Sequence, residues 1–311
     1  YLGNWFPRKL LRMYGLVADS EIDVVLDASG FAYGDQWGSN NTIAMAKAIR
    51  RWKKQGTKII LLPQAFGPFS SPQIRKAFRV VATHADRIYA RDPVSYKHIV
   101  DLVGHLPHVK QAPDFTVLLK GEVPPSFDRA LHEVAIIPNQ RMVDKTTDSI
   151  GEHYIPFLVT CVRCFVDAGY KPFFLIHEGK RDEELAREAV RQFRYDVPII
   201  MEDNPLNIKG IIGSCKAVVS SRYHGLINAL SQGVPALGTG WSHKYRALFD
   251  DYGSPDLLLS PDSTEEQIKS TLASFIQNRE EKKRLAQHAA QHKHLTIEMW
   301  NDVLKIMTLE R

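Results

Sequence analysis

The sequence of residues 217–238 is AVVSSRYHGLINALSQGVPALG. It contains, in order, an apolar run, a short polar turn, a helical segment that stops at Gly233, and a second apolar run. This order predicts a strand, a tight turn, a short helix and a second strand parallel to the first. The turn places Ser221, Arg222 and His224 at the amino end of the helix, where backbone N–H groups and the helix dipole favour an anion.

Three residues of this segment have chemistry that suits an anionic ligand. Arg222 can bind a carboxylate or a phosphate through two hydrogen bonds, and His224 can donate or accept a proton near neutral pH. Gly225 lets the backbone approach the ligand closely. An isolated Arg-x-His is more often structural, with the arginine capping carbonyls and the histidine satisfied in a turn. The position between a strand and a helix favours the functional interpretation here.

Short apolar runs alternate with longer amphipathic segments along the whole chain. Strands are predicted at Ile22–Ala28, Lys58–Leu62, Arg87–Ala90, Val109–Ala112, Val134–Ile137, Lys171–Ile176, Pro198–Ile200, Ala217–Ser220 and Pro235–Gly238. Helices are predicted at Asn41–Gln55, Pro72–His84, Pro93–Val100, Gly151–Ala168, Arg181–Phe193, Pro205–Cys215, Gly225–Gln232 and His243–Tyr252, with two more between Glu265 and Arg311. This alternation predicts an α/β protein whose parallel sheets carry helices on both faces.

A glycine and two prolines interrupt the alternation at Gly121 and Pro124-Pro125. We expect a domain boundary there, with residues 1–124 forming an N-terminal domain and residues 125–311 a C-terminal domain that includes the last helices. Two such Rossmann-like domains are expected to face a cleft, with ligands beyond the carboxyl ends of the strands. Polar, charged and glycine residues follow nearly every predicted strand, which supports a site on that edge.

The composition is that of an ordinary globular protein, with 311 residues, 44% hydrophobic, 24% charged and a net charge of +5. That charge is too small to indicate nucleic-acid binding, although it suits an anionic small substrate or an anionic membrane surface. Cys161, Cys164 and Cys215 are too few for a disulfide framework, and the predicted helix around the first two favours buried thiols over a redox or zinc site. A cytoplasmic protein is expected, because the sequence has neither a signal peptide nor a membrane-spanning apolar run.

Several short motifs, taken in order, resemble the polysaccharide pyruvyl transferase family. They are Asp27-x-Ser29-Gly30-Phe31, Pro63-Gln64-x-Phe66-Gly67-Pro68, Ala90-Arg91-Asp92-x-x-Ser95, Ala112-Pro113-Asp114, Arg222-Tyr-His224-Gly, Ala-Leu-x-x-Gly233-x-Pro235 and Ser242-His243-Lys244. Each motif is weak alone, but the ordered set covers residues 20–255. The family typically opens with a strand and an Asn-x-Gly-Asp loop, and no such pattern precedes Asp23. The N-terminal domain is therefore expected to lack its usual first strand and loop, either because the natural chain starts upstream of Tyr1 or because they are lost.

This resemblance implies transfer of pyruvate from phosphoenolpyruvate to a sugar of a surface polysaccharide or its precursor. The product is a cyclic ketal, phosphate is released, and no cofactor or metal is required. The implied architecture is that of the two-domain glycosyltransferase-B enzymes. Two alternatives stay open: a nucleotide-sugar-dependent glycosyltransferase of polysaccharide synthesis, and a non-catalytic sugar-binding relative. A lipid-linked acceptor would bring the enzyme to the inner face of the membrane.

The resemblance and the strand-end rule together give the candidate site residues. The catalytic candidates are His224, Arg222 and His177. The donor-binding candidates are Arg141, Arg222, Ser221, Gly225 and Lys244. The acceptor-binding candidates are Asp35, Gln64, Arg91 and Asp114. Simpler interpretations stay open for four of them: a solvated arginine for Arg141, a surface lysine for Lys244, a turn or cap residue for Asp114, and a structural histidine for His177.

Two further segments have a chemical character but weaker signals. His288 and His292 lie four residues apart on a predicted helix, and without an acidic or cysteine partner they indicate a solvated face. Residues 1–14 combine Trp5 and Phe6 with basic side chains, which suits either contact with a membrane surface or packing on the protein body.

Overall fold

A computed structural model describes residues 7–277 and 279–308 of the chain. The chain divides into two compact units, the first taking residues up to Phe115 together with those from His294 onward, and the second Thr116–Lys293. Each unit is built on one sheet of parallel strands connected by helices. The predicted α/β class with Rossmann-like domains is therefore confirmed.

The first unit contains a four-stranded sheet in the order β1-β2-β3-β4. Its strands are β1 (Val24–Asp27), β2 (Lys58–Gln64), β3 (Arg87–Ala90) and β4 (Val109–Gln111). Its helices are α1 (Arg8–Met13), α2 (Asn40–Lys53), α3 (Pro72–His84) and α4 (Pro93–Val103). Strand β2 has a continuous apolar run, Ile59-Ile-Leu-Leu62, that is buried throughout, as expected for a parallel strand covered on both faces.

The second unit contains a five-stranded sheet in the order β7-β6-β5-β8-β9. Its strands are β5 (Val134–Ile137), β6 (Pro172–Ile176), β7 (Ile199–Met201), β8 (Ala217–Ser220) and β9 (Ala236–Gly238). Its helices are α5 (Arg141–Asp144), α6 (Asp148–Asp167), α7 (Lys180–Val190), α8 (Pro205–Ser214), α9 (Tyr223–Leu230), α10 (His243–Asp251) and α11 (Glu265–Gln277). The strand order sets β6 and β8 on either side of β5, so the loops that follow these three strands emerge at one edge.

The last helix, α12 (Arg279–Thr308), contributes to both units. Its final turns belong to the first unit because Met299, Val303 and Ile306 are buried in one cluster with residues of β2 and β3. The prediction that residues 125–311 form one domain differs from this division. Although α12 has 30 residues, none of the helices in the described part of the chain is long and apolar enough to cross a membrane.

The predicted linker around Gly121 is packed against the second unit instead of joining two domains. The Glu122 N–H donates to the Leu206 carbonyl at 2.9 Å, so this segment is hydrogen bonded to the start of α8. A Cβ on Gly210 would lie 2.1 Å from the Glu122 carbonyl oxygen, closer than any real side chain allows. The backbones therefore touch, and the division between the units falls earlier, before Thr116.

Residues 7–17, which precede β1, carry no buried side chain. Trp5 and Phe6 lie outside the described residues. None of the residues of α1 is buried, and Met13 and Tyr14 are largely exposed. Contact with a membrane surface therefore stays a prediction for this segment.

The close approach at Gly210 gives a test of the packing. We expect Gly210→Ala to lower the free energy of unfolding by about 2–4 kcal/mol, because the new methyl group has no space against the Glu122 backbone. The matched control is Gly151→Ala in α6, where the nearest atom to a Cβ is 3.5 Å away. Since alanine favours the helix, this control should change stability by no more than about 1 kcal/mol, in the stabilising direction. Urea denaturation measures both variants, and equal stabilities would contradict the described contact.

Candidate functional site

Ser221, directly after β8, is the centre of a buried hydrogen-bond network. Its hydroxyl oxygen accepts from the Tyr154 hydroxyl at 2.6 Å. Its carbonyl oxygen accepts from Asn139 Nδ2 at 2.7 Å and from the Tyr245 hydroxyl at 2.9 Å. Burial raises the pKa of both tyrosines, so their hydroxyls stay protonated and can donate. Ser221 is itself fully buried. The structure therefore does not show the direct contact with the donor that was predicted for Ser221. Instead, its hydrogen bonds hold the turn after β8 in place.

The structure gives a packing reason for the glycine at position 225. A Cβ at this position would lie 2.5 Å from Ser220 Oγ and 3.1 Å from Ile137 Cδ1. The glycine therefore lets α9 pack tightly on the ends of β5 and β8, while its contact with a donor stays a prediction. The Ser220 hydroxyl accepts from the Arg222 backbone N–H at 3.0 Å, which holds the turn before the helix.

Arg222 is the residue before the first turn of α9, and two carboxylates bind its guanidinium. Asp182 accepts from Nε at 2.8 Å and from Nη2, while Glu178 accepts from Nη1. The other oxygen of Asp182 accepts from the Gln140 N–H at 2.9 Å. Burial raises the pKa of Asp182, and the adjacent Arg222 opposes that shift. Arg222, after β8, therefore binds Glu178 and Asp182, which follow β6, and Asp182 in turn accepts from Gln140 after β5. The sequence did not predict this network.

The two predicted histidines lie near Arg222 but differ in exposure. His177 follows β6 with its Nε2 buried and without a hydrogen-bond partner among the described residues. Burial lowers the pKa of His177 to about 4; Glu178 opposes the shift, and Arg222 and His224 add to it. His177 is therefore neutral at pH 7. His224 is exposed at the start of α9, with its ring packed edge-on against Tyr223 at 5.8 Å between centroids.

Lys244 extends this cluster of residues from α10. Its ammonium lies 5.0 Å from the centre of the Tyr223 ring, 5.1 Å from that of Trp241 and 5.5 Å from that of Tyr245. Cation–π attraction of this kind holds a lysine in place. The sequence carries a signal for this contact, since each of these aromatic residues lies in or next to a candidate motif.

Arg141 lies at the same edge with a different partner. It begins α5, and its backbone N–H donates to Asn139 Oδ1 at 3.0 Å. Its guanidinium, 42% exposed, pairs with Asp144 at 2.9 Å within the same helix. The structure thus agrees with the simpler interpretation of Arg141 as a solvated arginine. The residue nevertheless lies at the edge of the sheet where donor binding was predicted.

In the first unit, three of the predicted acceptor contacts are buried. Gln64 has no exposed surface, and Arg91 and Asp114 are 6% and 3% exposed. Arg91 donates to Asp114 at 2.9 Å through Nη1 and to the Gln64 carbonyl at 2.9 Å through its backbone N–H. Gln64 Nε2 in turn donates to Asp27 at 3.2 Å. The prediction that these three residues contact the acceptor directly is therefore corrected. Their hydrogen bonds instead link the ends of β1, β2, β3 and β4.

Two partly exposed carboxylates remain on this edge. Asp35 accepts from the backbone N–H groups of Ser70 and Ser71. Burial raises its pKa, but a hydrogen bond from the Ser70 hydroxyl and the two backbone hydrogen bonds outweigh that effect and leave the pKa below the ordinary value. Asp27 accepts from the Tyr33 hydroxyl at 2.8 Å. The structure thus leaves Asp35 partly exposed, and it adds Asp27, the first residue of the Asp27-x-Ser29-Gly30-Phe31 motif, as a second carboxylate at this edge.

Two predictions outside the site have different outcomes. Cys161, Cys164 and Cys215 are all buried free thiols, as the helical pattern predicted for the first two. The solvated face predicted around His292 is wrong, because its ring packs against Tyr252 at 4.6 Å between centroids. Burial lowers the pKa of His292 to about 4.

A model of the family described as "Polysaccharide pyruvyl transferase" matches residues 1–243, which include the Arg222-Tyr-His224-Gly segment. The chain belongs to the polysaccharide pyruvyl transferase family. Membership supports a transferase role in polysaccharide biosynthesis.

Solved structures similar to this pyruvyl transferase family member share its fold at low identity. S. aureus MnaA with UDP is 12% identical, with 98% of this chain and 80% of that chain covered at a TM-score of 0.59. UDP-GlcNAc 2-epimerase from Neisseria meningitidis is 11% identical, with 96% and 79% covered at 0.59. Anabaena HepE, in complex with UDP and glucose, is 13% identical, with 99% and 83% covered at 0.57. These are glycosyltransferase-B-type folds, so the predicted architecture is confirmed.

The buried pair in the first unit gives a second test. We expect Asp114→Asn to lower the free energy of unfolding by about 3–5 kcal/mol, because it deprives the buried Arg91 guanidinium of its carboxylate. The control is Asp101→Asn, which removes an ion pair with Lys97 whose side chains are 57% and 72% exposed. That loss should cost less than about 1 kcal/mol. Similar losses for the two variants in chemical denaturation would contradict a structural role for Asp114.

The low pKa of His177 predicts a pH dependence of stability. Between pH 6.5 and 4 the unfolded chain binds a proton at this histidine and the folded chain does not. The free energy of unfolding therefore falls as the pH is lowered through this window, with about 1–3 kcal/mol attributable to His177. His177→Gln should remove that share, so that its stability relative to the unmodified protein rises on acidification. The exposed His153→Gln is the control, and parallel pH profiles for all three proteins would contradict the burial of His177.

Proposed function

We propose that this protein transfers the pyruvyl group of phosphoenolpyruvate to two hydroxyls of one sugar in a surface polysaccharide or its precursor. Family membership supports the transfer, and the observation that carries the donor assignment is the cluster at the edge of the second sheet. Arg222, Lys244 and His224 gather there beside the neutral His177. Phosphoenolpyruvate has a carboxylate and a phosphate, so its binding requires several cationic donors in one place.

The proposed reaction has two steps that balance without a cofactor. A general acid protonates the methylene carbon of phosphoenolpyruvate, and the first sugar hydroxyl attacks the cationic C2 and gives its proton back to that acid. The second hydroxyl then attacks C2 as the C–O bond to phosphate breaks, and its proton leaves with the phosphate. The first step needs a general acid whose pKa lies near the pH at which the enzyme works. The second step needs a base and groups that stabilise the leaving phosphate.

Exposure decides how the two histidines are assigned. His224 is exposed beside the cationic groups, so it is the proposed acid for the first step and the proposed partner of the leaving phosphate. His177 is neutral at pH 7 and has its Nε2 buried, so it is assigned to the surroundings of Arg222 and not to proton transfer. Lys244 and Arg222 are assigned to the donor's anionic groups.

Asp35 is the proposed acceptor contact, because its carboxylate is ionised and partly exposed. A cytoplasmic location is consistent with three free thiols, which a reducing compartment maintains. A lipid-linked acceptor would bring the protein to the inner face of the membrane.

A nucleotide-sugar glycosyltransferase is the second candidate, because similar folds were solved with UDP, UDP-GlcNAc, or UDP and glucose. A thermal-shift comparison of phosphoenolpyruvate with UDP-sugars separates the two. Stabilisation by phosphoenolpyruvate supports pyruvyl transfer, whereas stabilisation by a UDP-sugar alone contradicts it. Ligand binding without turnover on any acceptor would indicate a non-catalytic relative.

Replacing the two motif residues should affect different kinetic constants. We expect His224→Ala to lower kcat by about 10²–10⁴-fold with little change in donor affinity, since it removes a proton-transfer group. Arg222→Ala should weaken phosphoenolpyruvate binding by about tenfold to a hundredfold, since it removes charged hydrogen bonds. Phosphate release with nitrophenyl hexosides as acceptors measures kcat, and calorimetry measures the affinity. Near-normal turnover in His224→Ala would remove this histidine from the mechanism, and His153→Ala is the exposed-histidine control.

A further inference from the structure

The two carboxylates that bind Arg222 have very different surroundings. The Asp182 side chain is 3% exposed, and its second oxygen accepts from the Gln140 N–H. The Glu178 side chain is 48% exposed. Asp182 is thus a built-in partner of the guanidinium, whereas Glu178 reaches it from the solvent side.

The position of Glu178 in the chain allows it to leave. It lies in the short bend between β6 and α7, outside regular structure. The next residue, Gly179, has a φ of +86°, and no atom lies within 4 Å of a Cβ built there, so the space on that side of the bend is open. Exchange of an exposed carboxylate from a short loop costs little, because such ion pairs contribute little to stability. Removal of the buried Asp182 would instead leave the guanidinium without its anchor.

We propose that Glu178 is an internal competitor for the anionic ligand of Arg222. In the free protein its carboxylate occupies Nη1, and the carboxylate or phosphate of the bound ligand takes that place when Glu178 swings out. Asp182 stays bound to Nε and Nη2 and positions the guanidinium throughout. The inference rests on the proposed function only in naming phosphoenolpyruvate as the ligand; the exchange itself requires any anion that Arg222 binds.

Competition predicts that removing the competitor tightens ligand binding. We expect Glu178→Gln and Glu178→Ala to lower the calorimetric Kd for phosphoenolpyruvate by about twofold to fivefold. This fold-change corresponds to the free energy that an exposed ion pair contributes. Glu188→Gln is a closely matched control, because Glu188 also has a 48% exposed side chain and pairs with an arginine of the same unit, Arg191. It should leave the Kd unchanged, which separates competition from a general effect of charge. Asp182→Asn should weaken binding by about tenfold.

Other results would overturn the competition. Unchanged or weaker binding in both Glu178 variants would show that this carboxylate does not block the ligand. A normal Kd with lost turnover would make Glu178 a catalytic group instead. A Kd that falls equally in Glu188→Gln would reduce the effect to net charge.

The same proteins distinguish this inference from the proposed function. Inorganic phosphate, titrated as a second probe, does not depend on pyruvyl transfer. If the Glu178 variants bind phosphate more tightly while no acceptor supports phosphate release from phosphoenolpyruvate, the competition stands and the proposed function fails. If turnover proceeds while neither probe binds the variants more tightly, the function stands and the competition fails. Failure of both probes to bind the unmodified protein overturns Arg222 as an anion site.

Discussion

The carbonyl oxygen of Ser221 accepts two buried hydrogen bonds, from Asn139 at 2.7 Å and from Tyr245 at 2.9 Å, and the geometry of the candidate site depends on them. Buried polar groups must be paired, so this turn has few alternative arrangements. The turn fixes the backbone of Arg222 before α9, and the strand order brings its side chain to the loops after β5 and β6. The position of the guanidinium is therefore a consequence of a backbone constraint one residue earlier.

Burial then decides which charges this edge of the sheet carries. His177 stays neutral even at mildly acidic pH because its ring is removed from water, so it adds no positive charge beside Arg222. The ammonium of Lys244 lies against the rings of Tyr223 and Trp241, and cation–π attraction holds it there. The edge thus combines one guanidinium that is already paired, one lysine held by π-faces and one exposed histidine, His224.

The sequence predicted the positions of strands far better than the partners of side chains. Arg87–Ala90, Val134–Ile137 and Ala217–Ser220 have the predicted bounds, because short apolar runs between polar turns leave little freedom in where a buried strand lies. The end of α12 was assigned to the wrong half, since a helical pattern does not say which sheet it covers. Likewise, the strand-end rule found Arg222 but not its partner Asp182, forty residues earlier, because pairing depends on strand order and side-chain direction.

The two units show why a motif alone does not assign a role. Arg91 follows β3 as Arg222 follows β8, and each binds a carboxylate from another loop. The side chains of Arg91 and Asp114 are 4% and 2% exposed, whereas those of Arg222 and Glu178 are 15% and 48% exposed. A fully buried pair cannot exchange partners without leaving a charge in the interior, so it can only hold the fold together. A pair with one solvated partner can exchange it for a ligand at little cost, and that difference in exposure favours the second unit as the place where an anion binds.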